Sequence, residues 1–217
     1  MIKGFIFDLD GVIVDTAKYH FLAWKQLADS LHIEFTETQN EQLKGISREK
    51  SLEKILNWGN TQVSTAEFNK LMDQKNKVYL SYIEKMDTSD ILPDIPRVLN
   101  FLKQNKQAIA LGSASKNAKH ILKKTHLLEM FDVIIDGTSV AKAKPNPEVF
   151  LAAAKGLNIL PKNCIVFEDA ESGIEAANAA KMTSIGIGHP EILHNANDIF
   201  TDFTKISNEY LNNFISK

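Results

Sequence analysis

The chain has almost no cysteine, no long apolar run and no excess of charge of either sign, and each absence removes a class of protein. Cys164 is its one cysteine, so no internal disulfide can form. It lies beside the apolar run Ile165-Val166-Phe167 and reads as a buried core thiol. No apolar stretch approaches the ~20 residues that cross a bilayer, so no membrane partner is expected. The opening residues, Met1-Ile2-Lys3 with Asp8 soon after, fit no secretory h-region, and a cytoplasmic location is expected. Lys and Arg number 25 against 27 Asp and Glu, a net charge of −2, and the basic residues are scattered. Nucleic acid is not an expected partner, because backbone binding needs clustered positive charge. There are no internal repeats and no low-complexity tracts, and no exposed apolar stripe demands a second copy, so a monomer is expected. What is present is ordinary: 217 residues, 44% hydrophobic and 24% charged, enough for a sizeable core in one or two domains.

Two textures alternate. Residues 4–8 form a short apolar run of the kind found in a strand buried on both faces, and similar runs recur at 107–111, 132–135, 163–167 and 182–187, with a weaker one near 198–201. Helical patterns lie between them. Ile95, Val98, Leu99 and Leu102 share one helix face; Ile121, Leu122 and Thr125 share another. Asn146 as N-cap with Pro147 at the first helical position starts a third, whose stripe is Val149, Phe150, Ala153 and Leu157. Asp94, near Pro93 and Pro96, is read as a helix cap. Strands alternating with helices predict an α/β fold, a Rossmann-like parallel sheet with helices on both faces. Residues 16–84 break the rhythm with four helical patterns and no convincing strand. Phe21, Trp24, Ala28 and Leu31 stripe the first, and Leu52, Ile55, Leu56 and Gly59 the third. The expected organisation is a core of residues 1–15 and 85–217 with an inserted helical cap domain at 16–84, hinged by short linkers near 14–16 and 84–88.

The chemistry-bearing residues fall at predicted strand ends, where open parallel sheets bind ligands. Asp8 and Asp10 end the first strand, followed by Gly11; alone, Asp-x-Asp-Gly also fits a polar turn. Gly112-Ser113-Ala114-Ser115 follows the 107–111 run, and its hydroxyls and N–H groups suit a phosphate. Ser115 can equally serve as a cap; Ser113 is harder to explain that way. Lys144 precedes Pro145, and Glu168-Asp169 ends the 163–167 run. Each of these is weak alone, but parallel strands would bring all four together. Two carboxylates ~5 Å apart repel by about 3 kcal/mol at an effective dielectric near 20, so such crowding calls for protonation or a cation. Carboxylate oxygens suit Mg²⁺, and a cation with Lys144 would neutralise a transferring phosphoryl group. Aspartate is a competent nucleophile there.

This order of motifs resembles the haloacid dehalogenase superfamily of phosphotransferases. The resemblance spans almost the whole chain and implies Asp8 as nucleophile, Asp10 as acid/base, Ser113 and Lys144 as phosphoryl contacts, and Asp8, Asp10, Glu168 and Asp169 around one Mg²⁺ ion. Ala170 departs from it, since many relatives carry serine there, so the metal's outer contacts are altered. Ala170, Gly173, Ile174 and Ala177 read as a close-packed helix face.

Within the superfamily the closer resemblance is to the hexose-phosphate mutases, through Asp15-Thr16, Tyr19-His20, Ala23-Trp24-Lys25, Gln42-Leu43-Lys44-Gly45, Ser47-Arg48-Glu49 and Ser113 to Asn117. It implies interconversion of β-glucose 1-phosphate and glucose 6-phosphate through a bound β-glucose 1,6-bisphosphate. The small phosphosugar would meet Trp24, Gly45, Ile46, Ser47, Arg48, Ser113, Ala114, Ser115, Lys116, Asn117 and Lys144. Arg48 would grip the distal phosphate, Thr16 would orient Asp10, and His20 would position Asp10 or the substrate. Lys75 has independent support: it lies on the apolar face formed by Phe68, Leu71, Met72, Tyr79 and Tyr82, where a lysine must snorkel out or meet a charged ligand. A sugar-phosphate phosphatase on the same scaffold is the alternative, and a non-catalytic phosphosugar-binding protein a more distant one.

Overall fold

The computed structural model describes residues 2–216. Strands β1 (Gly4–Phe7), β2 (Ala108–Gly112), β3 (Val133–Ile135), β4 (Cys164–Glu168), β5 (Thr183–Ile187) and β6 (Asp198–Phe200) form one parallel sheet in the order β3-β2-β1-β4-β5-β6. Each begins within a residue of its apolar run. Side-chain alternation explains why those runs are continuous. Phe5 and Phe7, Ile109 and Leu111, and Ile165 and Phe167 enter one hydrophobic core, while Ile6, Ala110, Cys164 and Val166 enter the core on the opposite face. Phe7 stacks on Phe167 at 4.7 Å, which fixes the central pairing of β1 with β4.

Four helices follow β1: α1 (Ala17–Ser30), α2 (Glu37–Glu41), α3 (Arg48–Trp58) and α4 (Thr65–Ile83), with no strand among them in the described residues. Trp24, Ala28, Leu52, Ile55, Leu56 and Leu71 bury one another in a core separate from those of the sheet. The start of α3 is set by Ser47, whose hydroxyl accepts from Lys50 N, and that of α4 by Ser64, which accepts from Glu67 N.

The chain then returns to the sheet. Helices α5 (Ile95–Gln104), α6 (Ala118–Lys124) and α9 (Asn208–Ile215) bury apolar residues against one face, and α7 (Glu148–Gly156) and α8 (Glu171–Ala179) against the other. Two local expectations shift. Pro147, rather than Asn146, occupies the N-cap of α7, and the Asn146 side chain accepts from Glu148 N one residue further in. Asp94 stands at the N-cap of α5 with φ of 69°, but its carboxylate accepts from Arg97 Nε instead of from the helix backbone. A charged guanidinium within reach outcompetes a neutral N–H. No described helix is long and apolar enough to cross a membrane.

Candidate active site

The central strands deliver their chemistry to one edge of the sheet. Asp8 follows β1, Ser113 follows β2 and Glu168 closes β4, all at the carboxyl ends of adjacent strands. Lys144 arrives on the loop between β3 and α7, where the Lys144–Pro145 peptide is cis. Its ammonium, 1% exposed, donates to Asp8 Oδ1 and Glu168 Oε1, both at 2.5 Å. Glu168 Oε2 also accepts from Ala170 N at 3.0 Å. Carboxylate oxygens of Asp8, Glu168 and Asp169 lie within 4.8 Å of one another, a set of hard oxygen donors that could hold a metal ion. Two glycines make room for it. A Cβ on Gly11, which has φ of +79°, would fall 2.2 Å from Asp169 Oδ2, and one on Gly173 would fall 1.9 Å from the Glu168 carboxyl.

Asp10 belongs to a different group. Its carboxylate lies outside the acidic cluster and accepts a hydrogen bond from Thr16 Oγ1, at the N-cap of α1. His20 Nε2 stands 3.9 Å from the same oxygen. His20 Nδ1 and Lys75 Nζ lie 3.0 Å apart; while Lys75 is an ammonium it donates, and the ring proton is then on Nε2, the atom that faces Asp10. The Lys75 ammonium lies 4.6 Å from the Trp24 ring and 4.6 Å from the Tyr79 ring.

A cavity of about 950 Å³ connects the two groups. Its wall takes in Asp8, Asp10 and Asp169, then His20, Trp24 and Lys75, then Gly45 to Arg48, and the loop from Ser113 to Asn117. Thr16, Lys144 and Glu168 stand behind that wall and reach it through Asp10 and Asp8. Two contacts tie the loop after β2 to α3 and α4: Lys116 Nζ donates to Glu49 Oε1 at 2.8 Å, and Asn117 Nδ2 donates to Asn76 Oδ1 at 3.0 Å. Ser113 Oγ accepts from Ser115 N and Ser115 Oγ from Asn117 N, so both serines shape the loop.

The family profile of the haloacid dehalogenase-like hydrolases matches residues 2–181. The chain belongs to that family. Within it, the chain is 44% identical over 211 residues to a β-phosphoglucomutase of Bacillus subtilis, covering 96% of this chain and 93% of that protein. It is 30% identical over 190 residues to a phosphorylated carbohydrates phosphatase of Thermotoga maritima, covering 86% of each. The crystal structure of a β-phosphoglucomutase from Clostridium difficile superposes with a TM-score of 0.95 at 44% identity, covering 100% of this chain and 98% of that one.

Burial dominates the electrostatics of this family site. Burial, reinforced by the neighbouring Asp8 charge, raises the Asp10 carboxyl to about 6. Burial also raises Glu168, to about 7 against the pull of Lys144, and lifts Asp169 well above the carboxylate range with Glu168 adding to the effect. The Lys144 ammonium is pushed up: burial opposes its charge, but Asp8 and Glu168 more than offset that. Burial lowers Lys75 to about 7, with Arg48 acting in the same direction, and holds His20 well below its usual range, neutral at physiological pH.

Two residues of the site escaped the sequence reading. Tyr79 appeared as one more apolar residue of α4, yet its ring packs 4.2 Å from His20 and its buried hydroxyl has no hydrogen-bond partner among the described residues. Its i+4 spacing from Lys75 was the available signal. Lys44 reaches Asp169 at 3.7 Å from an irregular loop, where no periodicity could flag it.

Proposed function

We propose that the chain is a β-phosphoglucomutase, a magnesium-dependent isomerase that interconverts β-D-glucose 1-phosphate and glucose 6-phosphate. The observation that carries this reading is a single cleft holding two carboxylates in different settings. Asp8 is bonded to Lys144 beside the acidic cluster, whereas Asp10 is bonded to Thr16 with its carboxyl raised to about 6. The kinship with β-phosphoglucomutases supports it.

Asp8 attacks phosphorus and becomes an aspartyl-phosphate, while the bond from Lys144 aims the attacking carboxylate. Asp10 removes the proton from the sugar hydroxyl that attacks phospho-Asp8, which yields the bisphosphate, and protonates the sugar oxygen that departs when the freed Asp8 attacks the other phosphate; a carboxyl near 6 suits both tasks at neutral pH. Between the two transfers β-glucose 1,6-bisphosphate turns over in the cleft, and the same compound primes Asp8 as activator. The carboxylates of Asp8, Glu168 and Asp169 would hold one Mg²⁺, which neutralises phosphoryl oxygens when bound. Ser113, with the amide of Ala114, receives the transferring phosphoryl group. Arg48, Lys116 and Asn117 receive the distal phosphate. Trp24, His20, Lys75 and the Gly45-Ile46-Ser47 segment face the sugar.

Residues 16–84 act as the cap that closes over this cleft and excludes water. The reading carries with it a cytoplasmic monomer acting on a small phosphosugar, without nucleic acid or membrane. The decisive assay supplies β-glucose 1-phosphate with Mg²⁺ and a trace of the bisphosphate. Glucose 6-phosphate is the expected product; free phosphate in its place would make the protein a sugar-phosphate phosphatase. The α-anomer run in parallel reads stereochemical preference.

A further inference from the structure

Two lysines of the described chain are buried, and their surroundings are opposite. Lys144 has two carboxylates at 2.5 Å. Lys75, 2% exposed, has no carboxylate within 4.0 Å among the described residues; its neighbours are the neutral His20 ring, the faces of Trp24 and Tyr79, and the positive charge of Arg48, with Asp10 further off. An ammonium removed from water beside another cation gives up its proton readily, and two aromatic faces return part of what hydration supplied. Desolvation and a neighbouring cation are also what turn a lysine into a nucleophile toward carbonyl groups. Lys75 lines the cavity, and Arg48 and Lys116 line the same cavity as anchors for an anion.

We propose that Lys75 is a carbonyl-reactive amine that captures phosphorylated aldehydes in the cleft as a reversible imine. Neutral Nζ adds to the aldehyde carbon, a proton passes from nitrogen to the former carbonyl oxygen, and loss of water leaves a C=N bond; hydrolysis returns both partners. No oxidant or reductant is needed. The phosphate, anchored by Arg48 and Lys116, sets the class of ligand, and the open-chain form of a phosphosugar belongs to it. Selectivity follows from protonation. At pH 7 a lysine titrating near 10.4 is neutral in roughly one molecule in 2,500, whereas one at about 7 is neutral in half. The proposal does not depend on mutase turnover, because capture is read by mass.

The test incubates the full chain with pyridoxal 5′-phosphate at neutral pH, reduces with borohydride, and locates the label by peptide mass spectrometry. The peptide containing Lys75 is expected to carry at least about tenfold more label than any other. Its labelling should slow when inorganic phosphate or glucose 6-phosphate fills the cleft, and its initial rate should rise with a midpoint near pH 7. Lys75→Arg, with folding checked by circular dichroism, should lose the phosphate-protected label. Wild-type site mapping decides the matter even if that variant misfolds. Label mainly on Lys44, Lys116 or exposed lysines, or label on Lys75 that phosphate does not slow, overturns the proposal.

Discussion

Replacing Lys144 with methionine removes the cation that bonds both Asp8 and Glu168 while nearly keeping its length and its contact with Phe150, whose ring lies 4.8 Å from the ammonium. Each ion contact at 2.5 Å is worth about 7 kcal/mol of gross attraction at an effective dielectric near 20. Desolvation of the buried ammonium offsets much of this, and breaking one side of a buried network costs about 3–5 kcal/mol net. The deficit should depend on pH. Glu168 is raised to about 7 from 4.5, so between those values the folded state keeps a proton that the unfolded state has released. Its contribution to stability is therefore lost as pH rises through that window. Without Lys144 the folded-state value climbs further. The variant's deficit is then largest at neutral pH and above, and shrinks toward about pH 5, where Glu168 is protonated in both proteins. Urea unfolding in metal-free buffer at both pH values measures this, and added Mg²⁺ should return part of the loss by supplying another cation. A deficit below about 1 kcal/mol, or one equal at both pH values, would refute the account of Lys144 as the charge that holds the cluster together.

Asp8→Asn should abolish turnover and leave no phosphate on the protein after incubation with the bisphosphate; full activity would remove the covalent mechanism. Arg48→Ala should lower mutase kcat/KM by about ten- to a hundredfold, the equivalent of one charged hydrogen bond, while hydrolysis of small aryl phosphates persists. Equal loss of both would mean that Arg48 serves the fold. Gly173→Ala places a methyl group against the Glu168 carboxyl, so the Mg²⁺ needed for half-maximal activity should rise severalfold, with about 1–3 kcal/mol lost from stability. Lys75 loses its charge as pH rises through about 7, so kcat/KM for the phosphosugar should fall across that range more steeply in wild type than in Lys75→Met.

The sheet and its site residues were legible because a parallel strand covered on both faces must be apolar throughout and hand its first polar residues to the ligand edge. Phe7 followed by Asp8, and Phe167 followed by Glu168, have that form. Lys75 was legible as a conflict, a charge on an apolar helix face. The division of labour between Asp8 and Asp10, and the part of Thr16 in orienting Asp10, came through the family resemblance and not from the residues alone. Two residues apart in a strand-end turn, the two aspartates offer the same chemistry, and it is the hydrogen bond from Thr16 at the start of α1 that sets Asp10 apart. Tyr79 and Lys44 were hidden for a related reason. Their partners, His20 and Asp169, are more than 50 residues away in sequence, and nothing local marks a ring or an ammonium for such a contact.

That division has a consequence for how water is kept from phospho-Asp8. The contacts of Asp8 come from the returning part of the chain, through Lys144 and the Glu168–Asp169 pair. The contacts of Asp10 come from the inserted helices: Thr16 and His20 at the start of α1, with Lys75 and Tyr79 of α4 holding His20 in turn. The nucleophile is therefore held without α1 to α4, which reach its acidic cluster only through the loop residue Lys44 at Asp169, whereas the acid/base is oriented by them. On the proposed reading, a cap that swings away takes Thr16 and His20 from Asp10 at the moment water enters, so the water that reaches the phosphoryl group meets no oriented base. A sugar that closes the cap restores those contacts and is activated. Thr16→Val tests the link without touching Asp8. Sugar transfer should fall by more than tenfold while the phosphorylation state of Asp8 is preserved, so the ratio of hydrolysis to transfer rises; a uniform loss of both would show that Thr16 only supports the fold.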